Sequence, residues 1–250
     1  MEIELIANNR LKEFLQRTGP AGVFARYVAQ LKPQEKSLAV LADAQVLGTA
    51  LCGRDFDLYE AFPHWVFTSS PEAAQLLAQA LPQTLAMNYP LQFKSIFQRA
   101  FPLRTHSVDR IYTLTIFNGI CIPEEYPQVR LLTGKELSRL LIAPEIRHLL
   151  GNFSDWTEEK PLYGIQSADE LVAIAEAQVQ DDQYGAIQQL YTVESWRGKG
   201  LAKKLVGKIC HDLLVKGKKP LYQVSEDNPA SLKVTESLGF VLESRWGFME

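Results

Sequence analysis

Tyr191-Thr192-Val193-Glu194-Ser195-Trp196-Arg197-Gly198-Lys199-Gly200-Leu201-Ala202 is the stretch on which the fold turns. Ahead of it, Ala186 to Val193 reads as a β-strand. Behind it, Leu201, Leu205, Ile209 and Leu213 recur every four residues, with Ala202, Val206 and Cys210 beside them, the stripe of an amphipathic helix. The first turn of a helix holds N–H groups without intrahelical partners, and the aligned peptide dipoles make that end electropositive. Gly198 and Gly200 have no Cβ and accept a positive φ, so an anion can come close to the backbone. Arg197 and Lys199 add charge at the same point. The junction predicts a bound phosphate or pyrophosphate.

The stretch resembles the signature of the GNAT N-acetyltransferases, Arg/Gln-x-x-Gly-x-Gly/Ala after a strand, which here reads Arg197-x-x-Gly200-x-Ala202. A second block of that family follows in Asn228-Pro229-Ala230-Ser231, then Leu232 to Leu238, then Gly239-Phe240. The resemblance spans residues 128 to 250, about half the chain. It implies an α/β fold built on an α+β mixed sheet, with acetyl-CoA as co-substrate and no metal. The family's loop holds the pyrophosphate, which assigns Arg197, Gly198, Lys199, Gly200, Leu201 and Ala202 to the cofactor. In the family a bulge splays the preceding strand from its next neighbour, and the opening admits the pantetheine arm. By that resemblance main-chain groups of Tyr191, Thr192 and Val193 pair with the arm, and Asn228 and Ser231 lie beside it. The implied activity is direct transfer of an acetyl group to an amine of a small-molecule or peptide acceptor.

Composition sets the outer limits. A chain of 250 residues can be one large domain or two, and either buries a real core. A net charge of −3 gives no general affinity for nucleic acid. Cys52, Cys121 and Cys210 offer neither a disulfide framework nor Cys-x-x-Cys metal spacing, and read as buried thiols of a reducing cytoplasm. His64, His106, His148 and His211 are scattered without ligand spacing. Met1 to Arg10 lacks the apolar run of a signal peptide, and no segment reaches the ~20 apolar residues that span a bilayer. The expectation is a cytoplasmic protein with no nucleic-acid or membrane partner; its oligomeric state is not written in the sequence.

The first half also reads as α/β. Leu11 to Leu31 has helical spacing broken at Gly19-Pro20, and Ser37 to Leu41 and Val46 to Cys52 are strands joined by a short polar turn. Trp65 to Thr68 is a strand; Ser70-Pro71-Glu72 opens a helix that continues to Leu81; Leu91 to Phe93 reads as the next strand. The same order of elements recurs from Leu162 to Val224. Residues 1–117 are therefore expected to be a degenerate GNAT-like domain, as in glycine N-acyltransferase-like proteins, with an unrelated α/β extension as the alternative. Thr68-Ser69-Ser70-Pro71 stands at the place of the phosphate loop without a glycine or a cation. Pro123, Glu124, Glu125 and Pro127 mark a linker at 118–127, and 128–250 is the second domain.

In that domain the expected elements are strands at Val129–Leu132, Tyr163–Gln166, Leu171–Val179 and Ala186–Val193, and helices at Gly134–Ile142 and Pro144–Leu150. Phe153, Asp155 and Trp156 read either as a grip for an amine or as a lid on the core. Two residues depart from the family. Its catalytic Glu aligns with Ala186 or Ile187, leaving Glu176 as the nearest carboxylate, with Tyr184 or a water held by Gln188 or Gln189 as substitutes. The plainer reading of Glu176 is an ordinary solvent-facing strand residue. The family's tyrosine acid, seven residues after Asn228, is Thr235 here, so a threonine hydroxyl, solvent, Tyr191 or Tyr222 must serve the departing thiolate. Two further readings follow: a CoA-binding sensor without turnover, and a first half that serves as an interaction module.

Overall fold

The computed structural model of the chain describes residues 1–23, 25, 26, 29, 33, 34, 36–51, 64–83, 86–114, 128–150, 161–179 and 181–250. In the first half these form β1 (Glu2–Ala7), α1 (Lys12–Gln16), β2 (Lys36–Ala42), β3 (Gln45–Leu51), β4 (His64–Thr68), α2 (Pro71–Ala80), β5 (Met87–Pro90), α3 (Lys94–Ala100) and β6 (His106–Thr113). The second half supplies β7 (Val129–Leu132), α4 (Gly134–Leu137), β8 (Leu141–Ile142), α5 (Pro144–Leu150), β9 (Leu162–Ser167), β10 (Glu170–Val179) and β11 (Tyr184–Thr192). It closes with α6 (Leu201–Val215), β12 (Lys219–Ser225), α7 (Pro229–Leu238) and β13 (Val241–Met249).

The chain divides into two units. The first is Met1–Ile111 with Ser225–Asp227 and Glu243–Glu250; the second is Tyr112–Val224 with Asn228–Leu242. The expected linker at 118–127 lies outside the described residues, and the end of the expected second domain, Glu243–Glu250, groups with the first unit.

Both units use one topology. In the first, β1, β2, β3 and β4 pair antiparallel in sequence order, and β4 then pairs parallel with β5. In the second, β7, β9, β10 and β11 pair antiparallel, and β11 then pairs parallel with β12. A parallel step needs a long crossover, which α2 supplies in one unit and α6 in the other. The expected repeat of elements is thus a repeat of pairing as well. Asp43 and Ala44, at φ 49° and 64°, form the two-residue β2–β3 turn, and Ala168 at φ 52° opens the corresponding β9–β10 turn. Positive φ at such turns matches the twist of the flanking strands.

Helix spacing decides what is buried. Ala73, Ala74, Leu77 and Ala78 of α2 and Phe97 of α3 cover Val40, Ala50, Val66 and Tyr89 of the first sheet. In the second unit, Leu201, Leu205, Ile209 and Leu213 of α6 lie on Ala173, Ala175, Ala177 and Ile187, while Leu137, Ile142, Ile146 and Leu150 cover the other face at Leu171 and Ile174. Caps follow the residue types. Ser70 accepts from the Ala73 amide at 3.2 Å, and Thr133 and Glu136 form a reciprocal capping box on α4.

Three elements differ from the sequence reading. Glu2–Ala7 forms a strand, one that buries only Ile6 fully, so its alternation gives a weak signal. Leu91–Phe93 is a 3₁₀ turn rather than a strand, because Pro90 ends β5. The helix expected over Gly134–Ile142 stops at Leu137; Leu141 gives its amide to the Asp169 carbonyl at 3.1 Å, and β8 lies parallel to β10.

The terminal strand packs closely. Trp246 to Met249 pairs with Met87 to Pro90, and a Cβ on Gly247 would run into the buried Tyr89 ring. Gly247→Ala is expected to cost about 1–3 kcal/mol of stability by overpacking, read as a lower thermal midpoint.

Candidate functional site

The quoted stretch forms a glycine-rich turn that leaves the start of α6 without a side-chain cap. Gly198 and Gly200 take φ of 76° and 75°, and Gly200 caps the helix without any side-chain hydrogen bond. The Lys204 amide donates to the Gly200 carbonyl at 3.1 Å and is the first helical donor, so the amides of Leu201, Ala202 and Lys203 ahead of it have no intrahelical acceptor. A Cβ on either glycine would meet nothing within 4 Å, so the space beside both residues is open. The cations are held beside it. Arg197 donates from Nε to the Thr192 carbonyl at 3.2 Å and lies 5.8 Å from the Tyr191 ring centre; Lys199 Nζ lies 3.9 Å from that of Trp196.

A bulge opens the sheet above this loop. Between the pairs Ile174–Tyr191 and Glu176–Gln188, β10 advances two residues and β11 three, and Gln189 takes φ 46° within the extra step. The parallel pairing of β11 with β12 runs from Tyr184–Lys219 to Ile187–Tyr222, so the strands part beyond that point. Of the residues expected to meet pantetheine, Val193 gives its amide to the Val172 carbonyl of β10 at 3.0 Å. By alternation the main-chain groups of Thr192 face away from β10, into the fork. Tyr191 and Val193 pack their side chains with the α4–α5 cluster, which puts the Thr192 side chain on the α6 face.

The two faces of the fork differ in chemistry. On the α4–α5 face, Glu176 is 1% exposed and Gln178 3% exposed, so the solvent-facing reading of Glu176 is overturned. Gln178 stands opposite Ala186, and Glu176 opposite Gln188. Glu176 is therefore diagonal to Ala186, the position where the sequence lacks its carboxylate. Tyr184 is buried as well, and Phe153, Asp155 and Trp156 lie outside the described residues. On the α6 face stand Thr192, Tyr222 and the start of α7. Asn228 accepts from the Ser231 amide at 3.1 Å and caps α7, and the Tyr222 hydroxyl donates to Ser231 Oγ at 3.3 Å. Thr192 Oγ1 is buried without a hydrogen-bond partner. Thr235 is fully buried and gives its hydroxyl proton to the Leu232 carbonyl at 2.7 Å, so that proton is committed within α7. The Tyr222–Ser231 pair escaped the sequence reading: the cap at Asn228 fixes where Ser231 sits, but no spacing joins it to β12.

The corresponding place in the first unit is filled by its own chain. Ser70 caps α2 and donates to the Glu72 carboxylate at 2.7 Å, and this bond holds the Glu72 carboxyl below its ordinary value. A negative charge already sits where an anion would bind. The β3–β4 pairing runs from Gly48–Thr68 to Leu51–Trp65 without a register shift, so no bulge opens that strand.

At the far end of α6, Asp212 accepts from the Tyr163 hydroxyl at 2.9 Å and from Lys208 and His211. Burial pushes the Asp212 carboxyl up, but the hydrogen bonds from Lys208, His211 and Tyr163 outweigh it and leave the group below its ordinary value. A depressed carboxylate stabilises the fold above its unfolded value, and that contribution is lost as pH falls through the folded one. Asp212→Asn is expected to cost about 1–2 kcal/mol at neutral pH, with the difference vanishing in acid when thermal midpoints are compared.

Comparison with solved structures finds the same architecture over the whole chain. A GCN5-related N-acetyltransferase-like protein from Streptococcus suis superposes with a TM-score of 0.65 at 16% identity, covering 97% of this chain and 98% of that one. This is the GNAT acetyltransferase fold. A GNAT-family acetyltransferase from Colwellia psychrerythraea gives 0.60 at 15% identity, with 100% and 99% covered. A tandem GNAT protein from the clavulanic acid biosynthesis pathway gives 0.56 at 14%, with 99% and 97% covered, and so shares the doubled GNAT layout. The family model described as FR47-like protein matches residues 162–247, the segment that carries the bulge, loop and second block. No curated protein matches the chain. Among the described residues of this GNAT fold, no cluster of His, Cys, Asp and Glu could hold a metal, and no helix is long and apolar enough to cross a membrane.

Proposed function

We propose that the chain is a cytoplasmic N-acetyltransferase that moves an acetyl group from acetyl-CoA to the amine of a small-molecule or peptide acceptor, by direct attack in the second unit. One observation carries this reading: an uncapped helix start with two left-handed glycines lies directly below a strand fork opened by a bulge. A pyrophosphate accepts from the amides of Leu201, Ala202 and Lys203, with Arg197 and Lys199 beside it. The pantetheine arm lies in the fork against the main chain of Thr192. The thioester then has hydroxyl groups on its α6 side and Glu176 on the other, where the amine arrives. Positioning and preorganised donors supply most of the rate.

The test is calorimetry with CoA followed by thiol release from acetyl-CoA across an amine panel. One CoA per chain is expected, because the first unit's counterpart carries the Glu72 carboxylate instead of an open loop. Absence of CoA uptake by the folded protein sinks the proposal. Uptake with no turnover over a broad panel gives a CoA sensor instead.

A further inference from the structure

We propose, resting on that reading, that the hydroxyl pair of Tyr222 and Ser231 donates the hydrogen bond that stabilises the departing CoA thiolate. Tyr222 occupies the last paired position of β12 with β11, the point where the fork begins. Its ring belongs to the α6-side core, and its hydroxyl leaves that core to reach Ser231 Oγ at 3.3 Å in the first turn of α7. Ser231 is half-buried and precedes Thr235 by one helical turn on the same face. Thr235 cannot serve, since its proton goes to Leu232. Receiving a bond from Tyr222 leaves Ser231 its own hydrogen to donate, and polarises it. Thr192 Oγ1, buried without a partner on β11, faces the same side of the sheet. Burial raises the Tyr222 phenol above its ordinary value, with the Ser231 bond opposing, so the hydroxyl keeps its proton through neutral pH.

In the step itself the amine nitrogen bonds to the carbonyl carbon and its proton passes to Glu176. The C–S bond breaks with its electron pair on sulfur. The thiolate rests on the Ser231 hydroxyl and takes a proton from water as CoA leaves; Glu176 returns its proton to solvent. The pair thus acts as a donor and is not consumed.

Bound CoA reports on this directly through the ultraviolet absorbance of its thiolate. In the wild-type complex the thiol is expected to titrate below its value in free CoA. Tyr222→Phe and Ser231→Ala should each raise the bound thiol's pKa by about one to two units and lower kcat by up to the corresponding ~10- to 100-fold. Affinity for desulfo-CoA, which has no sulfur to stabilise, should stay unchanged. Ser231 is half-buried, so Ser231→Ala keeps the test alive if Tyr222→Phe fails to fold. CoA bound with the same thiol titration in wild type and in a folded variant overturns the assignment and leaves the acetyltransferase reading standing. Wild-type protein that takes up neither CoA nor desulfo-CoA overturns both.

Discussion

Valine at both Gly198 and Gly200 is expected to abolish measurable CoA binding while leaving a folded protein. Each glycine sits in the left-handed region, where an L-residue costs roughly 1–2 kcal/mol. The pair should therefore lower stability by about 2–4 kcal/mol, within what a domain of ordinary stability tolerates. The larger effect is on the ligand. The space in front of both glycines is empty, so two β-branched side chains would occupy the volume of the phosphates. Each charge-assisted amide bond lost costs about 1.5–3 kcal/mol, or roughly ten- to a hundredfold in affinity. Gly217 separates the two effects. It takes φ 71° past the other end of α6, also with open space around it, so Gly217→Val should lower the thermal midpoint about half as much as the double replacement, with full CoA uptake. If the folded double variant binds CoA as tightly as the wild type, the pyrophosphate does not sit at this helix.

Glu176→Gln is expected to lower kcat by roughly 10²–10⁴ with CoA affinity retained, the loss that follows removal of a positioned base. The replacement is isosteric, so packing beside Gln178 and Gln188 is preserved and the thermal midpoint should move little. Turnover within a few-fold of wild type would remove Glu176 from the chemistry. A merely structural role would instead lower the thermal midpoint together with the rate.

The sequence reading carried furthest where a residue acts through its own backbone. Gly198, Gly200, the Ser70-Pro71 start of α2 and the Asn228-Pro229 start of α7 impose local geometry, and each stands where its chemistry predicts. The shared order of elements also exposed the doubling, since strand periodicity and helix periodicity alternate in both halves. What escaped it was set by neighbours distant in sequence. Glu176 is legible as the nearest carboxylate, but its burial at 1% exposure, on the strand face that α4 and α5 cover at Leu171 and Ile174, is not. Thr235 looks available until the helix claims its hydroxyl. Leu141 continues a helical pattern, yet the Asp169 carbonyl takes its amide and makes it a strand. The bulge at Gln189 carries no glycine to announce it.

The return of Glu243–Glu250 to the first unit has a consequence for biosynthesis. On the ribosome β5 is made long before its partner β13, so the first unit cannot finish folding as the growing chain emerges. Throughout that interval β5 presents the unpaired edge on which other strands nucleate. A nascent chain cut short before Trp246 would keep that edge for good, which makes premature termination near the C-terminus a route to aggregation as well as to lost activity.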